Sequence, residues 1–299
     1  MELTDKELEE RREGVQAFRV LFCIDGSEES YQALQYSATM VHPLEADIVL
    51  LYVRPIDHGL RTGGLQISVA RQKMLDWGLE LPGIRYLKKA RDKLIEWGEM
   101  ADDWDYHQAH ADVAGDPLGN NSVEYITKSG REVVLELKVS AGIALGILEK
   151  AEESQFDLIV LGASERWQST NFNPFRDPAV AEKVAVHSPC SVLIARALRR
   201  TGHGHLVCTD GSERSEILVN KEALLAKKSN FPLSILSVAR DEGEVIVAQE
   251  AVSRAEAIIK DLGVKIENTY TPVGDPVREI IEVGKNYSLI ALADTGKTG

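Results

Sequence analysis

The sequence has few cysteines and no long apolar run. Cys23, Cys190 and Cys208 are its three cysteines; they form no Cys-x-x-Cys pair and lie in apolar stretches. We therefore expect buried free thiols in a reducing compartment. No apolar run approaches the roughly 18 residues of a membrane span. Residues 1–14 are charged and have no apolar core, so they do not resemble a signal peptide. Both absences predict a cytoplasmic protein.

Positive charge is also scarce. The chain has 34 Lys and Arg against 47 Asp and Glu, for a net charge of −13. A field of this sign repels nucleic-acid phosphates and anionic lipid, so we expect neither nucleic acid nor a membrane surface as a partner. The sequence contains no Gly-x-Ser-x-Gly nucleophile motif, and no motif indicates a Ser/His/Asp or Cys/His catalytic set. We expect a protein that binds or signals, not one that runs conventional bond-breaking catalysis.

An internal repeat organises the 299 residues, a length that suggests about two domains. Asp25-Gly26-Ser27-Glu28 aligns with Asp210-Gly211-Ser212-Glu213, and Val53 aligns with Val238, all at an offset of 185. Further on, Asp157 aligns with Ser288. The offset there has fallen from 185 to 131, so the first copy carries 54 extra residues between Val53 and Gly142. A repeat of this length indicates two duplicated structural units.

Each copy alternates short apolar runs with helical stretches. The expected strands are Val20–Ile24, Ile48–Val53, Val133–Val139, Leu158–Leu161 and Ser191–Ala195 in the first copy, and Leu206–Thr209, Leu233–Val238, Val264–Tyr270 and Leu289–Leu292 in the second. Helices are expected around Leu87–Met100, at Pro178–His187 and at Glu244–Leu262, and Ser27 and Ser212 are candidate N-caps. This alternation predicts the α/β class, with open parallel sheets covered by helices on both faces.

The repeat also predicts the domain boundaries. Residues 1–17 form an N-terminal helical extension, and residues 18–197 form a first module with an insertion at about 56–132. Residues 198–204 form a linker, and residues 205–299 form a second module. The sequence stops just after the fourth strand of that module. The second module is therefore expected to lack the last helix and strand of the first.

Four sequence blocks resemble the universal stress protein family. They are Val20–Ser27 (VLFCIDGS), the YVRP of residues 52–55, Phe156–Gly162 (FDLIVLG) and Val180–Ala195 (VAEKVAVHSPCSVLIA). Their order matches across nearly all of the first copy outside its insertion, and across the second copy through its fourth strand. The resemblance implies two Rossmann-like, adenine-nucleotide-hydrolase-like modules in tandem, packed as a pseudo-dimer. It also implies a function in survival under starvation, oxidative or similar stress. Family members are usually dimeric, and some bind ATP.

The resemblance implies positions for an adenine nucleotide. In the family members that bind ATP, an aspartate after the first strand and a valine at the end of the second strand contact the adenine end of the nucleotide. A glycine-rich loop after the fourth strand holds the phosphates. The candidates are Asp25, Val53 and Gly162 in the first copy, and Asp210, Val238 and Gly296 in the second. In the first copy, Glu165 and Pro178-Ala179 replace the later glycine-loop residues, so its phosphate half is degenerate. ATP is thus a candidate ligand for either copy, and no cofactor is firmly implied.

These candidate residues also have simpler explanations. Asp25 and Ser27 can serve only to cap a helix, and Gly162 only to turn the chain. Residues 291–298 fit a relaxed phosphate-loop pattern, but one residue remains after Lys297-Thr298, where a true phosphate loop begins a helix. We therefore set that interpretation aside.

Histidine and tryptophan stand out in the insertion. His107 and His110 would share a metal if they lay on one helical turn, but we prefer a polar stretch and expect no metal site. Trp77, Trp97 and Trp104 either bury a small core and dock the insertion, or present an aromatic face to a partner.

Our leading hypothesis is a tandem universal-stress-type protein that acts by binding or signalling, with a degenerate nucleotide site in its first module. The expected homodimer contact is the edge strand Ser191–Ala195. The alternatives are an ATP-binding switch with slow hydrolysis, a scaffold that works through the insertion at Arg54–Arg131, and a soluble regulatory domain of a transporter.

Overall fold

The computed structural model describes residues 2–12, 17–56, 82–114, 116–163, 178–195 and 204–294. The chain divides into two compact units, residues 1–198 and residues 199–299. We call them unit 1 and unit 2 and describe each by itself. Within the described ranges, no helix combines the length and the apolar character needed to cross a membrane.

Unit 1 contains a mostly parallel sheet. Its helices are α1 Asp5–Arg12, α2 Glu28–Val41, α3 Pro82–Glu96, α4 Ile143–Glu153 and α5 Pro178–His187. Its strands are β1 Arg19–Cys23, β2 Asp47–Pro55, β3 Asp105–Val113, β4 Asp116–Ile126, β5 Glu132–Ser140, β6 Leu158–Gly162 and β7 Ser191–Ala195. The strand order is β3-β4-β5-β2-β1-β6-β7. The five strands from β5 to β7 are parallel, as the apolar runs predicted.

Burial on both faces explains these runs. Leu21, Val49 and Ile159, from the adjacent strands β1, β2 and β6, are at most 2% exposed and pack in one core cluster. On the same face, Ile147 of α4 and Val184 of α5 complete that cluster. A strand covered by helices on both sides needs apolar side chains at successive positions, so its sequence reads as a continuous apolar run.

The insertion departs from expectation. Residues 105–113, the polar stretch with His107 and His110, form strand β3, which pairs antiparallel with β4; β4 in turn pairs antiparallel with β5. The hairpin therefore extends the sheet beyond its parallel strands. Helix α3 ends at Glu96 and not at Met100, because Gly98 has a φ of +77° and turns the chain out of the helix.

The N-terminal residues pack on this hairpin. The Leu3 N–H donates to the Tyr106 carbonyl at 2.6 Å, at the outer edge of β3. Leu3 and Leu8 form a small apolar cluster with Ile126 at the end of β4. Leu8 of α1 and the preceding Leu3 thus pack the N-terminal residues against the insertion.

A buried carboxyl lies at the start of β2. Asp47 is 8% exposed, and its Oδ1 accepts a hydrogen bond from the Glu132 N–H at 2.8 Å. Burial raises the pKa of Asp47 above its ordinary value. The native state therefore holds this proton more readily than the unfolded chain does. Protonation of Asp47 therefore adds to the stability of the native state below the ordinary aspartate pKa of about 4. This contribution is lost as the pH rises from there through the raised pKa of the native state.

We expect Asp47→Asn to raise the melting temperature at neutral pH, because asparagine keeps an acceptor for the Glu132 N–H without a buried charge. The gain over the parent should shrink as the pH falls towards about 4. Thermal melts of both proteins across this pH range check it. A difference that does not change with pH would mean that the charge of Asp47 is not the cause.

Unit 2 contains a four-stranded parallel sheet. Its strands are β8 His205–Cys208, β9 Leu233–Leu236, β10 Ile266–Tyr270 and β11 Leu289–Ala291, and its helices are α6 Glu213–Ser229, α7 Val245–Asp261 and α8 Pro276–Gly284. The order β10-β9-β8-β11 equals the order β5-β2-β1-β6 of unit 1. Val207, Ile235 and Ile259 are fully buried in its core. The repeat in the sequence thus corresponds to the same parallel topology in both units.

Candidate functional site

The same turn follows the first parallel strand of each unit. The Ser27 Oγ accepts the Ser30 N–H at 3.1 Å, and the Ser212 Oγ accepts the Ser215 N–H at 3.3 Å, so both serines cap helices as expected. The Asp25 Oδ1 accepts the Ser27 N–H at 2.9 Å. The Asp210 Oδ1 accepts the Ser212 N–H at 3.0 Å. Each aspartate therefore shapes the loop at the carboxyl end of its strand.

In unit 2 this loop borders a cavity of about 480 Å³. The volume lies within the range of about 300–1,000 Å³ that is usual for small-molecule sites. We call it the strand-end cavity, because it opens beyond the carboxyl ends of β8, β9 and β11. Its lining includes Thr209, Asp210, Val238, Arg240, Ala248, Pro276, Ile280 and Leu292. Two predicted residues, Asp210 and Val238, thus lie on one cavity.

The backbone of Val238 is directed towards this cavity. The Ala239 N–H donates to the Pro272 carbonyl at 3.0 Å, and the Ala239 carbonyl accepts the Gly274 N–H at 2.9 Å, both on the β10 side. Successive peptide groups of an extended chain point in opposite directions. The N–H and C=O of Val238 therefore point to the other side, where β8 has already ended, and have no partner among the described residues. One donor and one acceptor of the same residue are thereby available on one side of the chain.

Charged groups surround the mouth of the cavity. Partial burial opposes ionisation of Asp210, but hydrogen bonds from Ser212 and Ser215 outweigh it and lower the pKa of this carboxyl. At neutral pH Asp210 is therefore an anionic acceptor. The Arg240 N–H donates to the Glu244 Oε2 at 3.1 Å. The Arg240 guanidinium, by contrast, has no partner within the described part of the chain. The site can accept hydrogen bonds from an amine or hydroxyl and offers one cation.

The corresponding cavity among the described residues of unit 1 is much smaller. About 30 Å³ remain beside Asp25, Val53 and Gly162, space for roughly one water molecule. Helix α4 lies close at this point, since a Cβ added at Gly146 would be 2.6 Å from the Val53 Cγ1. Val180 of α5 also lines the residual space. The structure thus brings the three predicted residues of unit 1 together, but side chains of α4 and α5 occupy most of the space between them.

Close packing accounts for Gly162. A Cβ at this position would lie 2.8 Å from the backbone carbonyl of Glu29 and 2.8 Å from the Ser30 Cα. Real Cβ atoms do not approach backbone atoms so closely, so only glycine lets β6 lie against the start of α2. The glycine has a structural reason whether or not it meets a phosphate.

Several predicted residues lie outside the described ranges: Gly296 with residues 295–299, Glu165, Trp77 and linker residues 198–203. The other expectations can be compared with the structure. His107 and His110 lie on a strand, where residues three apart point to opposite faces, so they do not share the helical turn that the alternative of a common metal would need. Within the described residues, no group of three His, Cys, Asp or Glu could hold a metal ion.

The expectation of three buried thiols was wrong for two of them. Cys208 is buried, but Cys23 and Cys190 are only partly buried; all three are free. Burial raises the pKa of Cys208 to about 12. The pKa of the Cys23 thiol is also raised, because the thiol itself lies away from solvent and near the Asp25 carboxylate although the residue is partly exposed. Cys208 and Cys23 line the strand-end positions of the two units as protonated thiols, which are poor nucleophiles.

Sequence reasoning missed Thr209 and Arg240. The Thr209 Oγ1 accepts the Gly211 N–H at 3.1 Å and lies 3.0 Å from the Ser215 Oγ, which links the loop to α6. The repeat contained a signal for both, because at the offset of 185 they align with Ile24 and Pro55. Unit 2 therefore has polar side chains at two positions where unit 1 has apolar ones, and unit 2 also has the larger cavity.

Solved structures with a similar fold include proteins described as universal stress proteins. Among solved structures, one assigned to universal stress proteins from Pseudomonas aeruginosa UCBPP-PA14 has 13% identity and a TM-score of 0.50, covering 90% of this chain and 78% of that one. A universal stress protein from Archaeoglobus fulgidus DSM 4304 has 15% identity and a TM-score of 0.49, covering 91% and 84%. At such identities the first likeness shows the fold alone. No curated protein matches the sequence.

The sequence model described as the universal stress protein family matches residues 17–196. This range contains all of the parallel strands of unit 1 and the insertion. Because the match spans more than half of the 299 residues, the chain belongs to the universal stress protein family.

Proposed function

We propose that unit 2 binds an adenine nucleotide in the strand-end cavity and that the protein acts by binding and signalling. Family membership supports a function in stress response. The observation that carries the nucleotide proposal is the cavity of about 480 Å³ bordered by both Asp210 and Val238. These are the positions that the family resemblance connects with the adenine end of ATP.

The chemistry of the wall supports this ligand. An adenine edge carries an amino donor beside a ring-nitrogen acceptor, which complements the C=O and N–H of Val238. The ionised Asp210 can accept from a ribose hydroxyl, and Ile280 and Leu292 supply apolar surface for a flat base. The Arg240 guanidinium adds one positive charge for a phosphate.

Unit 1 is proposed to be degenerate for nucleotide. Its residual space of about 30 Å³ is far smaller than an adenine ring requires. Its apolar wall of Val53, Ile143 and Ile147 packs into the core. We therefore assign unit 1 a structural function.

The direct test is the nucleotide content of the purified full-length chain. Denaturation followed by ion exchange of the supernatant should release ATP or ADP, or isothermal titration should show that the emptied protein takes up one nucleotide. Two nucleotides per chain would contradict the degenerate site of unit 1. A protein that contains no nucleotide and takes up none when ATP or ADP is added would overturn the proposal. ADP that accumulates slowly from bound ATP would favour an ATP-hydrolysing switch instead.

We also propose a homodimer through β7, which lies at one end of the sheet of unit 1. Ile194 of this strand is 38% exposed, and Val186 of the neighbouring α5 is 68% exposed. An unpaired strand edge beside exposed apolar side chains is suited to pairing with a second copy.

Replacing Ile194 with lysine should convert this dimer to monomer, because the change places like charges in the contact. Light scattering coupled to size exclusion measures the mass. Ile217→Lys, at an isoleucine of α6 that is 51% exposed, is the matched control and should leave the mass unchanged. A parent protein that is already monomeric, or an Ile194→Lys variant that is still dimeric, would refute β7 as the contact.

A further inference from the structure

A second cavity, of about 640 Å³, lies in the insertion between α3 and one face of the β3–β4 hairpin. We call it the hairpin cleft. Its lining includes Lys88, Arg91, Asp102, Asp103, Trp104, Tyr106, Gln108, His110, Asn121 and Tyr125. The cleft shares no residue with the strand-end cavity, and the β3–β4 hairpin on its wall has no counterpart among the described strands of unit 2.

Aromatic rings form much of the wall. Tyr106 and Tyr125 face each other across the two strands, with ring centroids 6.1 Å apart and planes inclined by 45°. The Arg91 guanidinium lies 5.0 Å from the Tyr125 ring, and the Arg131 guanidinium lies 5.9 Å from the Trp104 ring. Since Trp104, Tyr106 and Tyr125 are only partly buried, flat apolar surface remains accessible.

The charges of the cleft balance. Arg91 forms an ion pair with Asp102 on its wall, and Lys88 and Asp103 add one charge of each sign. A site for phosphate or for a carboxylate would carry an excess of positive charge, and a site for a cation would carry an excess of negative charge. The lining favours neither, so it is suited to a neutral ligand.

Polar groups complete the lining with hydrogen-bonding capacity of both kinds. Gln108 is exposed, and its amide has no hydrogen-bond partner in the described part of the chain. The His110 Nδ1 and the Asn121 Oδ1 are 3.0 Å apart. An amide presents a donor and an acceptor on one planar group, and a carboxylate such as Asp103 accepts only. Together they match neighbouring hydroxyl groups, each of which donates and accepts.

We propose that the hairpin cleft binds a neutral carbohydrate. A pyranose ring combines a flat patch of C–H groups, which packs on aromatic faces, with uncharged hydroxyl groups around its edge. Aromatic rings, planar amides and balanced charges meet in this cleft, and a sugar needs all three. A volume of about 640 Å³ accommodates a di- or trisaccharide.

Saturation-transfer NMR on the full-length chain tests this, with maltotriose and cellotriose as probes and glycerol as the non-ring control. We expect saturable transfer to ring protons of at least one sugar. Gln108→Ala should weaken sugar binding by about two- to tenfold, the effect of one lost neutral hydrogen bond. Tyr125→Leu should abolish it while keeping apolar volume. Gln249→Ala, at an exposed glutamine of α7, is the matched control.

Two outcomes would overturn the proposal. One is the absence of saturable transfer from either sugar up to about 10 mM, beyond which binding would be too weak to be specific. The other is transfer that is undiminished in both Gln108→Ala and Tyr125→Leu, which would place the sugar elsewhere. If circular dichroism shows that Tyr125→Leu alters the fold, the result for Gln108→Ala alone decides the test.

Discussion

Replacing Asp210 with alanine is expected to weaken adenine-nucleotide binding by about ten- to a hundredfold, the range for losing a hydrogen bond to a charged group. The carboxyl borders the strand-end cavity of unit 2, and its lowered pKa keeps it ionised at neutral pH. The equivalent change in unit 1, Asp25→Ala, should leave binding unchanged, because the cavity that the described residues form beside Asp25 holds about 30 Å³. Isothermal titration of both variants with ATP and ADP measures the difference.

Asp210 also holds its own loop, and this effect must be separated from contact with a ligand. Its Oδ1 accepts the Ser212 N–H at 3.0 Å, and asparagine keeps that acceptor. Asp210→Asn should therefore retain the melting temperature of the parent without nucleotide and still bind more weakly, since the charge is lost. If Asp25→Ala loses binding and Asp210→Ala keeps it, the nucleotide belongs to unit 1 and our assignment is reversed.

Gly162→Ala is expected to lower the free energy of unfolding of unit 1 by about 1–3 kcal/mol, the usual cost of overpacking a close contact. The new Cβ would lie 2.8 Å from backbone atoms of Glu29 and Ser30, which cannot rotate away as a side chain can. All four tryptophans of the chain lie in unit 1, so tryptophan fluorescence during urea denaturation follows this unit selectively.

Gly142→Ala is the matched control, because nothing lies within 4 Å of a Cβ at that position. Gly142 is the N-cap of α4, so its replacement should cost less than about 1 kcal/mol. If Gly162→Ala were neutral for stability and instead reduced nucleotide uptake, Gly162 would serve a phosphate, as the resemblance alone implied.

The parallel strands were predictable because their environment is uniform. Val20 to Phe22 are buried on both faces of the sheet, so every side chain must be apolar and the strand is visible in the sequence. The Asp-Gly-Ser turns were predictable for a local reason. A serine oxygen caps the N–H three residues later, so the contact lies within one stretch of sequence.

The hairpin of the insertion was not predictable in this way. Gln108 to Asp112 are exposed on β3, so no apolar alternation marks them as a strand. Their pairing depends on β4, and β4 depends on β5, where Val123 lies opposite Leu135. Which strand edge is available is a property of the assembled sheet, and a window of sequence does not contain it.

The repeat can be read directly from the aligned residues, and the parallel strands and helix caps follow from local burial patterns and short-range hydrogen bonds. The candidate positions Asp25, Val53, Asp210 and Val238 came instead from the resemblance to the family. Which of the two nucleotide-site positions has space for a ligand depends on how the helices pack. Two similar Asp-Gly-Ser turns border about 480 Å³ in unit 2 and about 30 Å³ in unit 1. The reason is that α4 and α5 close over Val53 at Gly146 and Val180, residues more than ninety positions away in the chain. A cavity is the volume that distant side chains leave unfilled, so it exists only once they have packed.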